Sequence, residues 1–234
     1  NLVHLSISGS ITGRSNCSPQ DVASLLSAFA IYNGENSTIN LSHNSKQVLF
    51  MLKEALQSTT TMPAGLLANQ NAMSASEFVT FCQSLVEGQA SSKGLKELAI
   101  GGNVKGLTTC KSGEWDRRIM ACNNVMSNDA LPSPEDAMQQ VYGILSNQTS
   151  REDAHGLLAM VWIMRLLVAQ PSITRLSLKN ENGSEHTSFG PLLALPIRIG
   201  LPFSALTYLD VSGNNGGNAL LEALGESVNN FATA

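Results

Sequence analysis

The chain has 234 residues, of which 43% are hydrophobic and 14% charged, with 14 basic against 18 acidic side chains and a formal net charge of −4. That length can bury a sizeable core, and the mild acidity, without any cluster of lysine and arginine, excludes the basic stripe on which nucleic-acid binding rests. Aromatic residues make up 5% and are too scattered to form a base-stacking platform.

The chain opens on Leu2-Val-His-Leu5-Ser-Ile7-Ser-Gly-Ser10, where apolar residues alternate as in a strand with one buried face. Val22, Leu25, Leu26 and Phe29 then recur at helical spacing. A second phrase, Ile39-Asn-Leu41-Ser-His-Asn44, has Asn36 where its first apolar residue belongs and precedes a helical face of Val48, Leu49, Leu52 and Leu56. The third is Leu66-Leu-Ala68-Asn-Gln-Asn71, with Ala68 as its last apolar residue. After it, Ser74-Ala-Ser-Glu77 has capping-box spacing ahead of Phe78, Phe81, Cys82 and Leu85. Its two polar side chains can satisfy the free N–H groups that begin a helix, and loss of Ser74 should cost about 1 kcal/mol. The fourth phrase is Leu95-Lys-Glu-Leu98-Ala-Ile100-Gly-Gly-Asn103.

Residues 104–149 contain no convincing copy and read as an insertion or a degenerate repeat. Within them, Ile119-Met-Ala121-Cys-Asn-Asn124 is a candidate decayed strand, although its step from Leu98 is short for this chain. Ser133-Pro134-Glu135-Asp136 supplies an N-cap, a proline at the first helical position and acids in the first turn. Met138, Val141, Tyr142 and Leu145 would share one face of that helix. A further helix is expected after Ser150-Arg-Glu-Asp153, running to Gln170 ahead of Pro171. Its apolar run, Leu157 to Met164, stops at Arg165, well short of the roughly 20 residues a membrane span needs. It should therefore be a buried helix leading into the fifth phrase, Ile173-Thr-Arg-Leu176-Ser-Leu178, where Asn180 and Asn182 flank Glu181. The last phrase is Leu206-Thr-Tyr-Leu209-Asp-Val211-Ser-Gly-Asn214, followed by a helix bearing Leu220, Leu221 and Leu224.

The fourth and sixth phrases share the spacing L-x-x-L-x-L-x-x-N. It sets three apolar side chains on one side of a short strand and an asparagine at the turn that leaves it. With the second leucine as anchor, the copies fall at Leu5, Ile39, Leu66, Leu98, Leu176 and Leu209. Four of the five steps between them are of similar length, and the remaining one, from Leu98 to Leu176, is more than twice as long. Over residues 1–103 and 171–234 the pattern resembles leucine-rich repeat proteins, particularly the long strand-plus-helix repeats of the ribonuclease-inhibitor kind. Most steps exceed the roughly 20–29 residues usual for that family, so irregular loops or lengthened helices are expected. The resemblance implies an α/β fold, a leucine-rich repeat solenoid forming a horseshoe arc of six or seven parallel concave strands and convex helices. It implies one domain over 1–234 with an irregular insertion at 104–149. Because no polar capping unit precedes Asn1 and no initiating Met or signal peptide is visible, a fragment of a longer chain is expected.

Little in the sequence points to catalysis. Cys17, Cys82, Cys110 and Cys122 lack paired C-x-x-C spacing, which favours neither zinc nor a disulfide framework and is more at home in an intracellular reducing compartment. Sequons at Asn16, Asn36, Asn40, Asn147 and Asn182 are expected by chance in a chain this rich in Asn, Ser and Thr, and Asn40 would lie within a strand. His4, His43, His155 and His186 stand in separate environments, and Cys122 with His155 is the nearest approach to a nucleophile–base pair, without a motif to support it. Gly213-Asn-Asn-Gly-Gly-Asn218 follows a strand but lacks the Lys-Ser/Thr ending of a phosphate loop. It reads instead as the repeat's asparagine and the turn into the next helix. Trp115-Asp-Arg-Arg118 reads as a solvated helix face. No catalytic residue, metal site or cofactor is assigned.

Neighbouring strand residues point to opposite faces, so the residues between the inward apolar positions should line the open face. Before each anchor these are His4, Thr38, Gly65, Glu97, Arg175 and Tyr208; after it, Ser6, Asn40, Leu67, Ala99, Ser177 and Asp210; two further on, Ser8, Ser42, Asn69, Gly101, Lys179 and Ser212. Large interface anchors are usually Tyr, Trp and Arg, which favours the C-terminal strands: Arg175, Ser177, Lys179, Tyr208, Asp210 and Ser212, with Glu97 beside them. The family resemblance implies a non-enzymatic module that recognises another protein on this face, and the charge balance and the short apolar run add the expectation of no nucleic acid and no membrane span. The family includes host-cell regulators and effectors that bacterial pathogens secrete into the host cytosol. It equally accommodates the substrate-binding arm of an enzyme, such as a ubiquitin ligase, whose catalytic domain lies outside these residues.

Overall fold

A computed structural model describes residues 2–11, 17–33, 36–58, 61–69, 71, 73–87, 94–103, 151–180, 193–198, 205–214 and 217–232, together with 117, 120, 121, 136, 139–141 and 143. Short strands alternate with helices: β1 (His4–Ser6), α1 (Pro19–Asn33), β2 (Thr38–Asn40), α2 (Lys46–Ser58), β3 (Gly65–Leu67), α3 (Ala75–Glu87), β4 (Glu97–Ala99), α4 (Arg151–Ala169), β5 (Arg175–Ser177), α5 (Ala194–Arg198), β6 (Tyr208–Asp210) and α6 (Gly217–Ala232). The strands form one six-stranded sheet in the order β1-β2-β3-β4-β5-β6, and every neighbouring pair is parallel. Parallel neighbours need a crossover between them, and the intervening helices supply it.

The register places Leu5, Ile39, Leu66, Leu98, Leu176 and Leu209 side by side across the sheet. These are the six anchor residues of the repeated phrase. Ile39, Leu66, Leu98 and Leu176 are fully buried, each contributing about 1.5–3 kcal/mol by leaving water. Leu41, Ile100 and Leu178, two residues beyond their anchors, join the same core, as does Ala68. Only at the edges does the row weaken: Leu5 is partly buried and Leu209 is 40% exposed.

The helices pack in series, α1 on α2, α2 on α3, α3 on α4 and α5 on α6. The expected capping box forms at α3, where the Ser74 N–H donates to Glu77 Oε2 at 2.8 Å and the Glu77 N–H to Ser74 Oγ at 3.3 Å. Before α1, Ser18 and Asp21 make the same reciprocal pair, with Asp in the role of Glu. Helix α4 is buried along Gly156 to Leu166. Its Arg165 interrupts the apolar run in sequence but not in space: it is 7% exposed and its guanidinium lies 5.1 Å from the centre of the buried Trp162 ring. Among the described residues, no helix is long and apolar enough to cross a membrane.

The candidate decayed strand at 119–124 is not supported by the residues described there: Met120 and Ala121 are helical, and β4 pairs directly with β5. So short an apolar run has no period by which to tell the two apart. Asp136, 139–141 and Gly143 are helical, and Val141 is fully buried, as the proline-led helix requires. Its cap at Ser133 and its partners Met138, Tyr142 and Leu145 lie outside the described residues, as do most of 104–149 and Cys122. The side chain of His155 is likewise outside them.

Candidate functional site on the open sheet face

Four of the six strands leave the sheet by the same local device. Three of its turns contain glycine in the left-handed region four positions past the anchor, Gly9, Gly102 and Gly213, and His43 takes that conformation at the equivalent place in β2's turn. Five positions past the anchor stands the repeat asparagine, buried as Asn44, Asn71, Asn103 and Asn214, whereas the first turn has the exposed Ser10 there. Asn103 donates through Nδ2 to the Ala68 carbonyl at 2.7 Å and the Ile100 carbonyl at 2.9 Å. Its Oδ1 accepts from the Asn71 N–H at 2.6 Å. Asn71 Oδ1 accepts from the Asn44 N–H at 2.7 Å, and Asn44 Oδ1 from the Ile11 N–H at 2.8 Å. A buried amide ladder thus ties the first four turns together. In the last turn Asn214 Nδ2 donates to the carbonyls of Leu178 and Val211, which accounts for the Gly213-Asn214 turn without a phosphate. At β5 the equivalent position, Glu181, lies outside the described residues, while Asn180 is buried.

Held this way, the residues flanking the anchors form two registered rows on the opposite face. His4, Thr38, Gly65, Glu97, Arg175 and Tyr208 make one; Ser6, Asn40, Leu67, Ala99, Ser177 and Asp210 make the other. The third expected row is largely occupied in joining strands. Ser8 Oγ donates to the Ser42 carbonyl at 2.8 Å, the Asn69 N–H donates to Ser42 Oγ at 3.1 Å, and the Gly101 N–H donates to Asn69 Oδ1 at 2.7 Å. Gly101 has no room for a side chain, since a Cβ there would overlap the backbone of Leu178 and Lys179.

The seven residues singled out in the sequence come together across β4, β5 and β6. The Arg175 guanidinium stacks 4.4 Å from the centre of the Tyr208 ring, and its Nε lies 3.5 Å from Glu97 Oε1. The Tyr208 hydroxyl donates to Asp210 Oδ2 at 3.4 Å. Asp210 Oδ1 in turn accepts from the Ser212 N–H at 3.0 Å and the Ser212 hydroxyl at 2.7 Å. Ser177 acts similarly one strand earlier, its Oγ accepting from the Lys179 N–H at 3.4 Å. Partial burial pushes the Asp210 carboxyl up, but the Ser212 hydroxyl and N–H, the Lys179 charge and the Tyr208 hydroxyl outweigh it and hold the group below the ordinary carboxylate range.

The cluster is a surface rather than a pocket. Tyr208 is 42% exposed, and the Glu97–Arg175 pair faces solvent on both sides, so the ion pair itself contributes about 0–1 kcal/mol. The Arg175–Tyr208 stack adds about 0.5–1 kcal/mol at an exposed site. Among the described residues no group of three or more His, Cys, Asp or Glu side chains is arranged to hold a metal ion. Cys82 is fully buried, and burial pushes its thiol well above its ordinary range, which leaves it an inert core group. Cys17 is partly buried and raised first by burial and then by Asp21. The left-handed turn and the Ser18–Asp21 cap were not singled out from the sequence. Their signals were there, in glycine four positions past the anchor and in Ser-x-x-Asp ahead of an apolar period.

The chain matches no protein-family model, no curated protein and no solved structure.

Proposed function

We propose that the chain is a leucine-rich repeat module, and that it recognises a partner protein through the open face of β4 to β6. The reading is supported above all by the cluster of Glu97, Arg175, Tyr208 and Asp210, which sets aromatic and charged groups of both signs on three adjacent strands. Tyrosine and arginine are the side chains that most often carry interface energy, and carboxylates beside them add orientation and selectivity. The leucine-rich repeat assignment is supported by the in-register anchors, one strand per phrase, and by the buried asparagine ladder at the turns. On this reading the helices form the convex side of an arc and the open face its concave side.

The test is a quantitative capture experiment comparing the native chain with the triple variant Arg175→Glu, Lys179→Glu, Tyr208→Ala. Circular dichroism of the variant should match the native chain, and its melting temperature should fall only by what the Glu97–Arg175 pair and the Arg175–Tyr208 stack contribute, about 1–2 kcal/mol, because all three side chains are at least partly exposed. Specific partners should be lost from the variant. Equal recovery of the same partners by both proteins would place recognition elsewhere on the molecule.

A further inference from the structure

Where the other parallel neighbours are joined through helices of thirteen residues or more, β5 and β6 are joined through α5, which spans five. A space lies between α4, α5, α6 and the sheet. Its volume is about 170 Å³, and it is lined by Met160 and Met164 of α4, Leu176 and Leu178 at β5, Val211 beyond β6 and Leu220 of α6. All the described residues around it are apolar. Leu209 and Leu224, 40% and 41% exposed, belong to the same lining and open it toward solvent at the end of the sheet.

We propose that this cavity is a binding site for a neutral, apolar small molecule about the size of one aromatic ring. The described residues of its wall bring apolar side chains, so water there gains few hydrogen bonds, while an unfilled space forfeits dispersion contacts. A protein cavity of about 150 Å³ with aliphatic and aromatic walls holds one benzene, and this one is of that size. Two methionines in the wall supply polarizable, unbranched side chains that adjust to the outline of a ring. A charged or strongly polar ligand is disfavoured because the apolar side chains of the described lining do not compensate its lost hydration. The site lies on the helical side of the sheet, so it is separate from the face carrying Arg175 and Tyr208.

The experiment is a methyl-NMR titration of the whole chain with benzene as the probe. Saturable shifts are expected at Met160, Met164, Leu176 and Val211, with the methyls of Leu49 and Leu52 in α2 unmoved. Val211→Phe, whose ring would occupy the void, and Leu224→Trp, at its mouth, should each weaken binding by about tenfold or more, equivalent to about 1.4 kcal/mol. Absence of saturable shifts in the native chain overturns the proposal, as does unchanged benzene affinity in either variant that folds.

Discussion

Asn103→Ala removes the end rung of the amide ladder, the one at the β4 turn. In the native chain this side chain is 2% exposed and makes three hydrogen bonds, two as donor to carbonyls of its own and the preceding turn and one as acceptor from the preceding turn. At about 1 kcal/mol for each bond, and more where a buried partner is stranded without water, the loss should be about 3 kcal/mol. Ser10→Ala is the matched control. Ser10 occupies the same place in the first turn but is exposed, with one long bond of 3.4 Å to the Ser8 carbonyl, and its loss should stay within about 0.5 kcal/mol. Urea unfolding followed by circular dichroism and by Trp fluorescence reads both, the latter including Trp162 buried in α4. The Asn103→Ala midpoint should fall by about 1 M or more with an unchanged slope. A loss under about 1 kcal/mol, or one no larger than that of Ser10→Ala, would refute the view that this ladder couples one turn to the next. A changed slope would show instead that the turns no longer unfold together.

Two further perturbations separate backbone sterics from electrostatics. Gly101→Ala should destabilise more than Gly9→Ala. The first drives a Cβ into the backbone of Leu178 and Lys179 just past β5, whereas the second has room for its Cβ and imposes a left-handed conformation, worth about 1–2 kcal/mol; equal thermal shifts for the two would count against the close approach. His43→Gly relieves the same conformational cost and should be neutral or stabilising in the same melt. For pH, Asp21, Glu77 and Asp210 all have carboxyls held below their ordinary range. Such groups stabilise the fold above their unfolded values of about 4 and lose that contribution as pH falls through the lower folded values. Stability should therefore decline on acidification below about pH 4, and Glu77→Gln and Asp210→Asn should each flatten that decline. An acid limb unchanged in both variants would show that other groups dominate it.

The strands were legible because a spacing of two and three positions carries both the inward face and its anchor, and pairing in parallel adds no freedom once the anchors align. That is why Leu5 through Leu209 fall into one row although the stretch between Leu98 and Leu176 is far longer than that between any other neighbouring anchors. The phrases with weak leucines, at Ile39 and Leu66, sit in the sheet as well as the strong ones, because their neighbours on both sides fix the register. Less legible was what the polar positions do. Asn40, Ser177 and Asp210 resemble one another in sequence only as polar residues after an anchor, yet each accepts a hydrogen bond from the N–H two positions on. Ser42 and Asn69 look like open-face contacts and serve as ties between strands. Side-chain destination of this kind depends on the neighbouring turn, which lies a whole repeat away in sequence.

That distinction narrows the proposed recognition surface and gives it a mechanism. On β3 the row before the anchors is interrupted, since Gly65 has no side chain and a Cβ there would collide with Thr38. On β4 to β6 it carries long side chains, and Arg175 is held on one side by Glu97 and on the other by the Tyr208 ring. Free arginine surrenders about 0.5–1.5 kcal/mol of side-chain freedom when an interface fixes it. An arginine already restrained in the unbound chain surrenders less, so on the proposed reading Glu97 would assist binding through Arg175. Glu97→Ala should then weaken partner binding by about 1 kcal/mol or less, with the loss appearing chiefly in the dissociation rate. In an Arg175→Ala background the same Glu97→Ala change should have no further effect, because there is no side chain left to restrain. Additive losses in that double-mutant cycle would mean that Glu97 meets the partner directly.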